Sequence, residues 1–158
     1  IKNNAAGSVL QRKIVGVFAT IVGGFLGGFF ALRFGTMKAL FLGALIAAAS
    51  NLLFAWLAVA PISIKFLIVV ITADNISSGF AGAAFVVYLS GLTSVKFTAT
   101  QYALFSSIML FLPKLIAGYS GSWVDIMGYA NFFTLTAILG IPVLLMIIWI
   151  AKVAPIKN

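Results

Sequence analysis

The 158-residue chain is 63% hydrophobic and only 8% charged, with a mean hydropathy of +1.22. A water-soluble domain carries roughly 25% charged residues to coat its surface, so a soluble fold is excluded. Ten Lys and Arg against Asp74 and Asp125 give a net charge of +8, but they are scattered singly, without the basic face that nucleic acid requires. Neither His nor Cys is present, which removes disulfides, Ser-His-Asp catalysis and zinc hydrolysis. No metal and no cofactor is expected.

The apolar residues fall in runs long enough to cross a bilayer, which needs about 20 residues per helix. The first predicted span covers about 14–32. It carries Gly23, Gly24, Gly27 and Gly28, two overlapping small-xxx-small patterns that let helices approach closely in lipid. A short basic loop with Arg33 and Lys38 follows. The second span, about 39–60, has Asn51 as its main polar interruption and stops at Pro61. The third, about 64–90, has a polar middle, Asp74-Asn75-Ile76-Ser77-Ser78-Gly79. A loop over 93–97 leads to the fourth span, about 99–120, which contains Pro113 and Lys114. A second loop, 121–128, precedes the fifth span, about 129–151, with Gly140 and Pro142. Both prolines are expected to interrupt their helices. None of these runs alternates as barrel strands do. The fold class is therefore all-α, a polytopic membrane protein of about five helices in one bundle.

Orientation follows from the loops. Arg33, Lys38, Lys96, Lys152 and Lys157 share one side; Lys65, Asp125 and the segment with Lys2, Arg12 and Lys13 share the other. The basic bias places the Arg33 loop and the C-terminus in the cytoplasm. The chain opens on Ile1 rather than Met, and with an odd span count it reads as the later part of a longer polypeptide.

Chemistry is expected at Asp74, the sole carboxylate inside a span. At ten residues into its helix it lies roughly 15 Å deep, the depth at which transporters hold solute and coupling ion. A carboxylate there can carry a proton, or it can pair with a buried lysine. Asn75, Ser77 and Ser78 add hydrogen-bonding groups. Lys13 and Lys114 are candidate partners, although each can instead extend its ammonium to the interface. Gln101 and Tyr102 can line a pathway or face the headgroups.

The segments Leu10-Gln11-Arg12-Lys13, Ala19 to Gly24 with Gly27-Gly28 and Arg33-Phe34-Gly35, Asp74 to Gly82, and Phe97 to Ser107 resemble the AmpG-type muropeptide permeases of the major facilitator superfamily. Gly118 to Gly121 and Asp125 to Tyr129 extend the match. The run Thr98-Ala99-Thr100-Gln101-Tyr102-Ala103-Leu104 carries it most specifically. The resemblance implies helices eight to twelve of a twelve-helix core, with the N-terminal half absent. It implies import of anhydro-muropeptides across the bacterial inner membrane with protons. It also supports roles for Asp74, Asn75 and Lys13. Partners are then lipid, a small solute, a proton and the missing half. Three alternatives stand beside it: acetyl-CoA transport, a non-transporting split-gene remnant or assembly subunit, and a membrane enzyme, which the lack of His and Cys disfavours.

Overall fold

The computed structural model describes residues 2–60, 64–93 and 98–153, without the side chains of residues 2–13 and 98. It consists of five helices: α1 (Lys2–Phe34), α2 (Thr36–Val59), α3 (Ile64–Leu92), α4 (Thr98–Gly118) and α5 (Ser120–Val153). Each contains a stretch long and apolar enough to cross a membrane, so the chain is a multi-pass α-helical membrane protein.

The burial pattern fits a lipid environment. Large side chains point outward: Phe25, Phe29, Leu32, Ile126 and Leu145 are all exposed. The buried set is dominated by small residues, including Ala19, Ala31, Ala39, Ala55, Ala84 and Ala137. In lipid no hydrophobic force draws helices together, so association relies on close backbone packing at small residues. Glycines mark each major interface. A Cβ at Gly43 of α2 would lie 2.9 Å from the Cα of Ala81 in α3, and one at Gly140 of α5 would lie 2.9 Å from the Cβ of Ala48 in α2.

Contacts fix the helix directions. Gly23 and Gly27 of α1 meet Ile76 and Phe80 of α3, so those helices run parallel. Ser50 meets Asp74 while Gly43 meets Ala81, so α2 is antiparallel to α3. Phe54 stacks on Phe133 at 5.0 Å while Gly140 faces Ala48, so α5 is antiparallel to α2. Alternating direction is what successive membrane crossings require. Helix α4 stands apart: none of its described side chains is buried.

The connections differ from the predicted loops. The basic loop at 33–38 reduces to Gly35 alone, whose φ of 98° is open to glycine without a Cβ penalty. Its N–H donates to the Ala31 carbonyl and its own carbonyl accepts from the Ala39 N–H. One residue thus closes α1 and opens α2. The predicted loop at 121–128 is helical instead. Only Tyr119 separates α4 from α5, and the break comes at Gly128, with φ 78° and ψ 160°. The long apolar run from 129 begins after it. Pro113 and Pro142 lie inside continuous helices, because a proline removes one N–H donor without ending a membrane helix whose freed groups find other partners.

Candidate functional site

The α1–α3 seam is built from one stripe of α1. Gly16, Ala19, Gly23, Gly27 and Ala31 are all buried, spaced three or four residues apart so that they share one helix face. Added Cβ atoms on Gly23 and Gly27 would overlap the carbonyl oxygens of Ile76 and Phe80, and one on Gly79 would overlap the Thr20 carbonyl. The two backbones touch. A Cβ on Gly24 would make only ordinary contact, 3.9 Å from the Gly79 carbonyl oxygen, and one on Gly28 would meet nothing within 4 Å among the described residues. These two glycines instead line an open apolar groove with Phe25, Phe29 and Ala83.

This close approach lets short polar side chains meet across helices. Asn75 of α3 sits against Gly16, whose Cβ would be 3.4 Å from the amide nitrogen. The Asn75 amide donates to the Ile71 carbonyl at 2.7 Å. Its oxygen is 3.1 Å from the Thr20 hydroxyl, which also reaches the Gly16 carbonyl at 2.9 Å. On the other side of α3, the Asp74 carboxyl oxygen Oδ1 lies 3.0 Å from the Ser50 hydroxyl of α2. Thr20 and Ser50 are each 14 residues from the ends of their helices at the Gly35 turn, roughly 21 Å along the axis at 1.5 Å per residue. The four side chains therefore form one polar layer near mid-membrane, with α3 between α1 and α2.

The Ser50 hydroxyl lies between two acceptors. Ser50 Oγ also lies 2.9 Å from the Ala47 carbonyl. A hydroxyl carries one proton and two acceptor lone pairs, and an ionised carboxylate only accepts. When Asp74 is ionised, Ser50 donates to it. When Asp74 is protonated, its O–H can donate to Ser50 Oγ while Ser50 turns its proton to Ala47. The same heavy-atom positions satisfy both states. Three residues further along α3, Ser77 is 3% exposed, and among the described residues its hydroxyl has no hydrogen-bond partner.

The remaining predicted residues lie elsewhere. Lys114 is exposed on α4, beside Ser107, Ile108 and Phe111 in a groove of about 430 Å³. Among the described residues Asp74 forms no ion pair, and its partner is a hydroxyl rather than Lys114. Gln101 and Tyr102 are half-buried near the start of α4. Arg33, Lys38, Lys65, Asp125 and Lys152 are exposed near helix ends. The side chains of Lys2, Arg12 and Lys13, and all of Lys96 and Lys157, lie outside the described residues. Reading the sequence did not single out Ser50 or Thr20. The signal available for Ser50 was its place beside Asn51 in an otherwise apolar run.

Five helices long and apolar enough to cross a membrane, three of them sharing a polar layer, define a polytopic membrane protein. The chain is 35% identical over 138 residues, 87% of its length, to a Rickettsia conorii protein provisionally named transporter AmpG 4. It is 34% identical over 140 residues, 89% of its length, to the Rickettsia felis protein of the same name. It is also 36% identical over 136 residues to an AmpG 1 transporter, provisionally so named, of Rickettsia bellii. Over these residues the chain belongs with the AmpG-type transporters. It spans about a third of the length of these curated relatives, 33% of the first and 34% of the second. No family model and no solved structure matches it.

Proposed function

We propose that the chain is the C-terminal transmembrane portion, over residues 1–158, of a proton-coupled major facilitator permease that imports anhydro-muropeptides across the bacterial inner membrane. The AmpG-type relatives support a transporter rather than an enzyme. The observation that carries the coupling role is the Ser50–Asp74 contact, a carboxyl group in the middle of a membrane helix held by a hydroxyl. Intramembrane acids of this kind mark ion and substrate pathways. In this reading Asp74 carries the proton and Asn75 holds α3 against α1. Lys13, Gln101 and Lys114 contribute polar groups to the solute pathway, and Arg33 and Lys38 lie on the cytoplasmic side with the C-terminus. The other half of the pathway comes from the N-terminal portion of the permease.

The test is Asp74→Asn in the complete permease, reconstituted in vesicles with an imposed proton gradient. The asparagine keeps an oxygen to accept from Ser50 but cannot carry a proton. Gradient-driven uptake of labelled anhydro-muropeptide is expected to vanish, while exchange of solute across the membrane without a gradient persists. Uptake equal to wild type would remove Asp74 from the coupling mechanism. Labelled acetyl-CoA run in parallel decides the solute class.

A further inference from the structure

At the end of the bundle marked by the Gly35 turn, the first turn of α2 meets the last turn of α5. A groove of about 340 Å³ opens there. Its floor is apolar, formed by Met37, Phe41, Ile147, Ile148 and Ala151, and its rim carries Lys38 and Lys152. The two lysines come from different helices, and both are exposed. Each lies within a turn of its helix end, where a lysine ammonium reaches the headgroup level.

Neither acidic side chain of this chain lies near them. The sequence contains two acidic residues, Asp74 and Asp125. Asp74 is engaged by Ser50, and Ser50 stands 12 residues further along α2 than Lys38, roughly 18 Å away along the axis. Asp125 precedes Lys152 by 27 residues on the same element, which puts it near the opposite membrane face. Two lysines on one groove with no acidic side chain nearby, beside an apolar trough, suit an anion attached to an apolar chain. A free phosphate would leave the trough unfilled, and a neutral lipid would leave the charges unmatched. The neighbouring recess across Met37 and Ile147, lined by Leu40, Ala44, Phe85 and Tyr88, has no basic side chain. The α1–α3 groove has none either. The α4 groove carries one, Lys114, so among the described residues the α2–α5 groove is the one that pairs two basic side chains.

We propose that this groove binds an anionic phospholipid, with its phosphate between Lys38 and Lys152 and an acyl chain along Phe41, Ile147 and Ile148. Basic pockets between membrane helices are a recognised site for acidic headgroups. The inference concerns lipid alone and stands whatever solute the permease carries.

The experiment is native mass spectrometry of the full chain extracted from vesicles of phosphatidylglycerol and phosphatidylcholine in equal parts. Wild type is expected to retain phosphatidylglycerol selectively. A lysine near a membrane surface contributes about fivefold in affinity for acidic lipid, so K38Q/K152Q is expected to lose retention by roughly 25-fold. The charge-matched control R33Q/K65Q is expected to keep it, which separates the groove from net charge. Ala151→Trp fills the trough without altering charge and is expected to lose the lipid as well; circular dichroism verifies that each variant is folded. Adding millimolar glycerol phosphate is expected not to displace the bound lipid. Equal retention of the two lipids by wild type, or undiminished retention by K38Q/K152Q, overturns the proposal, as does displacement by glycerol phosphate.

Discussion

Replacing Gly23 with alanine puts the α1–α3 seam to a quantitative test. The new Cβ would sit 2.8 Å from the Ile76 carbonyl carbon and 2.9 Å from its Cα, and would overlap the carbonyl oxygen. These are backbone atoms within a helix, so no side chain can turn aside. Restoring ordinary contact, which begins at 3.4 Å, moves α1 away from α3 by at least about 0.6 Å, and overpacking of this kind costs about 1–3 kcal/mol. Alanine returns up to ~1 kcal/mol of helix propensity, which leaves a net loss of up to about 2 kcal/mol where the overpacking cost is at its upper end. The same displacement stretches the Thr20–Asn75 contact from 3.1 Å to about 3.7 Å, beyond hydrogen-bond range.

Equilibrium unfolding in mixed micelles, followed by circular dichroism, reads the loss directly. Gly28→Ala is the internal control, because nothing lies within 4 Å of its new methyl group. It is expected to be neutral or stabilising by up to ~1 kcal/mol. Gly23→Ala and Gly27→Ala combined should cost less than their sum, since the first already displaces the seam and neighbouring sites couple. Wild-type stability in Gly23→Ala would show that α1 and α3 do not touch as described. So would equal losses in the variants at positions 23 and 28.

Three other substitutions probe separate features. Gly128→Ala is expected to destabilise the chain by about 1–3 kcal/mol purely through backbone strain, since its φ of 78° is positive and no atom lies within 4 Å; unchanged micelle unfolding would contradict that conformation. Ser77→Ala removes a buried hydroxyl that has no partner among the described residues and is expected to raise stability by up to ~1 kcal/mol; a fall in thermal unfolding temperature would reveal a partner for that hydroxyl. Ser50→Ala leaves the Asp74 oxygen without its hydroxyl and is expected to cost about 1.5–3 kcal/mol together with most proton-driven uptake, whereas Ser50→Thr retains both; equal uptake in the alanine and threonine variants would separate the hydroxyl from the coupling step.

The helices could be read from hydropathy because lipid demands long apolar runs, and the position of Asp74 followed from the fixed rise of a helix. The partners of Asp74 could not be read that way. Ser50 is 24 residues away in sequence, and serine is unremarkable in a membrane helix. Asn51, the bulkier polar residue, drew attention first. One residue turns a helix by about 100°, and that rotation puts Ser50 rather than Asn51 on the face toward α3. The glycine stripe was legible only in part for the same reason. Adjacent pairs at 23–24 and 27–28 look alike in sequence, but one member of each pair meets α3 at its backbone and the other turns toward the groove. Gly16, Ala19 and Ala31 complete the buried face. The turns were obscure because a single glycine with positive φ replaces a loop, at Gly35 between two helices and at Gly128 within one.

The seam and the polar layer are one construction. Thr20 and Asn75 are short side chains, and they meet only where two backbones nearly touch. Gly16, Gly23, Gly27 and Gly79 create that proximity on both sides of the pair. A larger residue at any of them would separate the polar atoms before it disturbed the apolar packing. Asp74 leaves α3 in the other direction, toward α2, where Gly43 against Ala81 provides the same closeness. Glycine placement thus fixes the position of the carboxyl group between α3 and α2. Among its described residues, α4 has no buried glycine of this kind: nothing lies within 4 Å of a Cβ at Gly118, and Lys114 is exposed. Alanine scanning should therefore divide the chain in two. Substitutions along the α1–α3 seam lower stability and uptake together, and substitutions on α4 change uptake with little effect on the unfolding of the remaining helices. Equal coupling of stability and uptake across both sets would refute that division.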